Sequence, residues 1–171
     1  MVALEADEIF ACLDRHKVSY VLIGGLAAVL HGSPLPTVDV DICPSKGGSN
    51  LGRLAAALEE LDARIRTPDV VGGVKFPHDA AFLANVALLN LVTRYGDLDL
   101  SFEPAGTEGF TDLARGAVDV RIRGIVVKVA ALQDVIRSKE AANRPKDQRT
   151  LPVLRLLLDE IEKRRKSETR E

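Results

Sequence analysis

Hydrophobic positions along this chain switch between a three-to-four-residue spacing and strict alternation, and the switches mark its elements. Leu4, Ile9, Phe10 and Leu13 recur at helical spacing with acidic residues in the first turns, which predicts a helix from Leu4 to about Lys17. Tyr20–Ile23 is a short β-rich run ending at Gly24-Gly25, and Leu26–His31 reads as a short helix after the glycines. Val38–Cys43 alternates, which predicts a second strand with Val38, Val40 and Ile42 toward the core. Pro44 and the Gly47-Gly48-Ser49-Asn50 turn close it, and Asn50 is a candidate cap for the helix traced by Leu51, Leu54, Ala55, Leu58 and Leu61.

The middle of the chain is less regular. Pro68, Gly72, Gly73 and Pro77 make 64–79 a loop with short extended pieces. Ala80–Arg94 fits either period, but its end, Leu89–Thr93, alternates before the Tyr95-Gly96-Asp97 turn and predicts a strand paired with Leu98–Phe102. Glu108–Ala117 suits a helix, and Val118–Ile122 with Ile125–Val129 suits a hairpin about Gly124. Leu132, Val135, Ile136 and Lys139 then share one helical face, and Leu151, Leu154, Leu158 and Ile161 share another after a break at Pro145. Lys163–Glu171 predicts a frayed, charged tail. No internal repeat is present.

A chain of 171 residues is most simply one compact domain, here a core over 1–130 with a helical segment, 131–171, packed on it. The charge balance, 23 basic against 25 acidic residues, excludes a large nonspecific DNA footprint and leaves room only for a local basic funnel. Aromatic residues make up 4% with no Trp, so a long single strand cannot be held by base stacking and an RNA partner would be held at an end. Cys12 and Cys43 are too few and too far apart for a disulfide framework or a zinc site. Neither a basic-then-apolar leader nor a bilayer-length apolar run is present, which predicts a cytoplasmic protein with no membrane partner.

Chemistry concentrates in Val21-Leu22-Ile23-Gly24-Gly25 and Thr37-Val38-Asp39-Val40-Asp41-Ile42. In an extended strand Asp39 and Asp41 project from one face. Two carboxylates so close repel, and Mg2+, which binds through one or two carboxylates plus substrate phosphates, offsets the repulsion. Gly24 and Gly25 lack Cβ and let a phosphate approach the backbone. Further on, Asp97 and Asp99 share a face with Ser101 and Glu103. Asp97 also reads as a turn residue after Gly96, so the choice of third carboxylate stays open, with Asp99 preferred.

Gly24-Gly25, the short helix ending His31-Gly32, and Thr37-Val38-Asp39-Val40-Asp41 resemble the nucleotidyltransferase superfamily with its polymerase-beta-like core. The resemblance implies an α/β fold of the α+β kind: a mixed sheet flanked by helices, with further helices at the C-terminus. It implies a third carboxylate on a later strand, matched by Asp99 between Leu98 and Leu100. Ser138-Lys139-Glu140-Ala141-Ala142-Asn143-Arg144-Pro145-Lys146-Asp147 is similar to the lysine-bearing C-terminal helix of the bacterial AbiEii-type and MenT-type enzymes, often toxins of toxin–antitoxin pairs. Members of that group often carry a basic residue two positions before the threonine, where this chain has Leu35.

What the resemblance implies is an enzyme moving a nucleoside monophosphate from an NTP to an acceptor hydroxyl. Asp39, Asp41 and Asp99 would be catalytic and hold Mg2+ or Mn2+, while Gly24, Gly25, Ser33, Lys139, Arg144 and Lys146 would bind nucleotide. The implied acceptor is RNA, foremost the 3′ end of tRNA, with a cognate antitoxin as partner; an aminoglycoside-like small molecule or a protein side chain stays open.

Several residues carry a plainer reading beside this one. Lys139 lies on the apolar stripe of its helix, so it meets a carboxylate or phosphate, or its ammonium reaches past the stripe to water. Arg144 and Lys146 lie near a helix break, where charges are usually solvated. His31 suits a helix end, and Cys43 suits an inert thiol on the aspartate face. A noncatalytic module of the same fold, regulatory and nucleotide-binding, is the alternative from a different class, separated from an enzyme that needs metal by Mg2+-dependent stabilisation with NTP. A DxD phosphatase fits poorly, because Ile42-Cys43 follows Asp41 and the glycine pair has no role there.

Overall fold

The computed structural model describes residues 2–170. Its frame is a seven-stranded mixed sheet with the order β3-β4-β5-β2-β1-β7-β6. In chain order the elements are α1 (Ala6–Arg15), β1 (Tyr20–Ile23), α2 (Gly24–Leu30), β2 (Asp39–Pro44), α3 (Asn50–Glu60), β3 (Arg64–Ile65) and α4 (Ala80–Ala84). They continue with β4 (Leu88–Thr93), β5 (Gly96–Ser101), α5 (Phe110–Gly116), β6 (Val118–Ile122), β7 (Ile125–Val129), α6 (Leu132–Ala142) and α7 (Pro145–Glu168). Strands β2 and β5 run parallel, as do β1 and β7; every other pairing is antiparallel.

The alternation of β2 and β5 sorts their side chains into two sets. Val40, Ile42, Leu98 and Leu100 are fully buried in the core together with Leu22, Leu91 and Val129. The opposite set, Asp39, Asp41, Asp97 and Asp99, lies on the other face, where Asp39, Asp41 and Asp99 line a cavity. Helix α1 packs on α3, and α3 on α4; α2 lies against β2 and touches α6, which runs along α7. Between β7 and α6, the carbonyl of Ala130 is 2.7 Å from Nε2 of His31, which ties the end of α2 to the start of α6.

Three expectations are corrected. Val38 does not face the core: it precedes the first ladder pair of β2 and is 76% exposed at the cavity rim. Asn50 does not cap α3, whose N-cap is Ser49. Instead its buried amide accepts from Ser19 N at 2.7 Å and donates to Ser19 O and Ser45 O at 2.9 and 2.7 Å, joining the entry to β1 with the exit from β2. The tail is not frayed from Lys163, because α7 continues to Glu168; Glu171 lies outside the described residues. Pro145 does break the chain between helices: Asn143 takes a left-handed φ of 49°, and Pro145 stands in the first turn of α7, where its missing N–H costs nothing. No described helix is long and apolar enough to cross a membrane.

Candidate active site

The register of β2 on β5 assembles the acidic face. Asp41 lies opposite Asp99 and Asp39 opposite Asp97, so two alternating pairs from segments 58 positions apart in sequence fall into one patch. One oxygen from each of Asp39, Asp41 and Asp99 lies within 4.8 Å of the others. Like charges at that separation repel by about 3 kcal/mol at an effective dielectric of 20. Burial, then Asp39 and Asp99, push the Asp41 carboxyl up to about 7, with Lys146 pulling the other way. Asp99 is also raised, by burial first, while Arg66 opposes the rise. Three hard oxygen donors under mutual repulsion fit a Mg2+ or Mn2+ ion, which would relieve that repulsion.

The Cβ directions of both glycines point into the acidic strand and its entry. A Cβ on Gly24 would lie 2.4 Å from Asp41 Oδ2, and its φ is +70°, so Gly24 is needed for the aspartate itself to fit over the start of α2. A Cβ on Gly25 would lie 3.0 Å from Thr37 Oγ1. Thr37 in turn donates to the carbonyl of Asp39 at 3.3 Å, which steadies the entry to β2. The Cβ directions of the glycine pair thus accommodate the acidic strand.

A basic wall comes from the α6–α7 junction. Lys139 Nζ is 3.4 Å from Asp147 Oδ1, and Arg144 Nε donates to Asp147 Oδ2 at 2.7 Å. Asp147 is fully buried, and burial raises its carboxyl, but Arg144 and Lys139 outweigh that and hold it below the usual range. Of the alternatives open for Lys139, its position is that of a lysine meeting a carboxylate. Arg144 is mostly exposed, and Lys146 is exposed. Ser33 is buried, and its Oγ accepts from Leu35 N at 3.2 Å.

Asp39, Asp41, Asp99, Gly24, Gly25, Ser33, Lys139, Arg144 and Lys146 all line one cavity of about 700 Å³, acidic on the sheet side and basic on the helix side. Asp97 stands outside the oxygen cluster and pairs with Arg66 at 2.9 Å. Arg66 was missed in the sequence, as were Thr37 and Asn90 as cavity-lining residues. The only trace of Arg66 was the alternation Arg64-Ile65-Arg66 inside a stretch broken by proline and glycine. Cys43 is buried, with its thiol pushed up to about 12 by burial and by Glu103.

A second cluster among the described residues joins Cys12, His16 and Glu60. Glu60 already pairs with Arg15 and with His16, which together hold it down to about 2. Burial, and then Glu60, push the Cys12 thiol up to about 11, and Cys12 Sγ donates to Ala57 O at 3.6 Å. These contacts make the cluster a polar tie between α1 and α3.

The fold of this chain is similar to that of solved nucleotidyltransferases. LnuA, a lincosamide antibiotic adenylyltransferase solved with lincomycin, is 14% identical over 91% of this chain and 99% of its own, with a TM-score of 0.58. ANT(2″)-Ia, solved in complex with adenylyl-2″-tobramycin, is 18% identical over 91% of this chain and 86% of its own, with a TM-score of 0.54. A candidate nucleotidyltransferase of Thermotoga maritima is 18% identical over 90% of each chain, with a TM-score of 0.55. No protein-family model matches the sequence, and no curated protein matches it.

Proposed function

We propose that this protein is a metal-dependent nucleotidyltransferase, moving a nucleoside monophosphate from an NTP to an acceptor hydroxyl with release of pyrophosphate. The observation that carries the reading is the carboxylate cluster of Asp39, Asp41 and Asp99 facing Lys139, Arg144 and Lys146 across one cavity large enough for a nucleotide. Asp39, Asp41 and Asp99 would hold Mg2+ or Mn2+, which when bound neutralises triphosphate charge and aligns the α-phosphorus for in-line displacement. Asp99 accepts the proton of the acceptor hydroxyl at a carboxylate oxygen. Lys146 and Arg144, exposed on the helix side, meet phosphate oxygens. Lys139 holds its place through Asp147 and lends positive charge to the same wall. Ser33, which lines the same cavity, donates its hydroxyl to a phosphate oxygen.

For the acceptor, we propose an RNA 3′ end, foremost that of tRNA. The exposed basic residues Lys146 and Arg149 near the cavity, with Arg164 to Lys166 toward the far end of α7, support it by offering contacts for a phosphate backbone. The similarity of Ser138–Asp147 to the AbiEii-type and MenT-type enzymes supports a toxin role with a cognate antitoxin, acting in the cytoplasm. A small-molecule hydroxyl is the second reading, favoured by the likeness to LnuA and ANT(2″)-Ia.

The test incubates the protein with Mg2+, each α-labelled NTP in turn and total tRNA, beside Asp39→Ala. Label on tRNA with the intact protein alone is the expected result. Equal labelling by Asp39→Ala would defeat the assignment of the acidic face, whereas label on an aminoglycoside or lincosamide added in parallel reactions, with none on tRNA, would replace the acceptor and leave the reaction standing.

A further inference from the structure

Strand β6 ends the sheet, and the hairpin it forms with β7 fixes which of its backbone groups are free. Arg123 and Gly124 make the two-residue turn with left-handed φ values of 47° and 81°, the type I′ geometry that suits a twisted hairpin. Such a turn makes Ile122 and Ile125 a hydrogen-bonded pair, and the alternation of the ladder then turns the N–H and C=O of Val120 and Val118 toward β7 as well. The N–H and C=O of Asp119 and Arg121 therefore point the other way, to an edge where no described strand pairs with β6. Both side chains are exposed. A free edge of this kind templates pairing with another strand.

The residues on that edge, Val118-Asp119-Val120-Arg121-Ile122, are complementary to themselves. Laid antiparallel to a second copy about a two-fold axis at Val120, each Asp119 stands opposite Arg121 of the second copy, and the two residues exchange both backbone hydrogen bonds. On the other face Val118, itself 40% exposed, meets Ile122 of the second copy. Sliding the pair by two residues, the smallest step that keeps the free groups facing each other, would set Asp119 against Asp119 or Arg121 against Arg121 across the axis. Like charges directly opposite are destabilising, so one register is selected. Lys128 on β7, with Nζ 3.3 Å from Asp119 Oδ1, extends the row: Lys128, Asp119 and Arg121 of the second copy alternate in sign. We propose that two copies of this protein associate through β6, antiparallel about Val120, joining their seven-stranded sheets into one. Strands β1 and β7 separate β6 from β2, so the pairing leaves the Asp39–Asp41 strand untouched and does not rest on the nucleotidyltransferase reading.

Sedimentation equilibrium over a concentration series reads the association, with circular dichroism checking that each variant is folded. The intact protein is expected to move from the 18.5 kDa chain toward twice that mass as concentration rises. Asp119→Arg alone, or Arg121→Asp alone, sets like charges opposite each other at both pairs and is expected to raise the dissociation constant at least about tenfold. An equimolar mixture of the two variants restores opposite charges at both pairs and is expected to recover dimer at concentrations where neither variant alone forms it. Intact protein that stays monomeric at every concentration overturns the proposal without any variant and leaves the edge to a strand of a different chain. Dimers that the folded single variants form as tightly as the intact protein place the contact on another face and overturn it too. A mixture no tighter than either variant alone overturns the register about Val120, and the proposal with it.

Discussion

Replacing Asp41 with Asn should make the metal-free protein more stable, and the gain should depend on pH. The Asp41 carboxyl titrates near 7 in the folded chain against 3.8 for the free group, so between those values the folded state holds a proton that the unfolded chain has released. The unfolded state therefore binds fewer protons, and the Asp41 contribution to stability falls as pH rises from about 4 to about 7, then levels off. A rise of roughly three units corresponds to about 4 kcal/mol at pH 8 as an upper bound. Asp39 and Asp99 share that repulsion, and Lys146 offsets part of it, so a gain of about 2 kcal/mol is expected, or roughly 4–8 °C in melting temperature for a chain of this size. Thermal unfolding of both proteins in a chelator, followed by circular dichroism at pH 4, 6 and 8, reads it. The variant should melt close to wild type at pH 4 and clearly above it at pH 8, and saturating Mg2+ should raise wild type alone. A variant less stable than wild type at pH 8, or a difference independent of pH, would refute the electrostatic account of the acidic face.

Other consequences follow from the same contacts. Gly24→Ala forces a left-handed backbone on a residue with a Cβ and drives that Cβ into Asp41, so it should cost about 2–4 kcal/mol and weaken Mn2+ uptake; uptake equal to wild type would show that Asp41 does not need the glycine. Asn50→Ala removes three hydrogen bonds linking Ser19 and Ser45 and should cost about 2–3 kcal/mol by urea titration, and a loss under 0.5 kcal/mol would refute that linkage. Asp147→Asn leaves Lys139 beside a neutral partner and should cost about 3 kcal/mol near neutral pH. Since the folded Asp147 carboxyl is depressed, its stabilisation is present above the ordinary carboxylate pKa and is lost as pH falls through the depressed one; urea titrations in which the two proteins differ equally at neutral and acid pH would contradict this.

What the sequence determined by itself is local. Alternation in Val38–Cys43 and Leu98–Phe102 is a property of the extended backbone, so Asp39 with Asp41, and Asp97 with Asp99, were bound to share a face whatever lay beside them. The hairpin about Gly124 and the break at Pro145 were legible for the same reason, since a left-handed glycine or a missing N–H acts within a few residues. The family resemblance of the glycine pair and the DxD run pointed to the acidic site, and the structure places those residues on one cavity. The tertiary structure decided which neighbours meet. Parallel pairing of β2 with β5 chose Asp99 over Asp97 for the oxygen cluster, and it left Val38 outside the ladder and exposed. Long-range packing turned Asn50 from a cap into a tie between strands, put Asp41 over Gly24, and gave Lys139 the buried carboxylate of Asp147. Arg66 was beyond reach of the sequence because its partners lie 25 to 33 residues away, across a strand edge that no local period announces. Side-chain periodicity follows from the geometry of the single chain, whereas register and ion pairing come from the balance of burial and charge across the whole sheet.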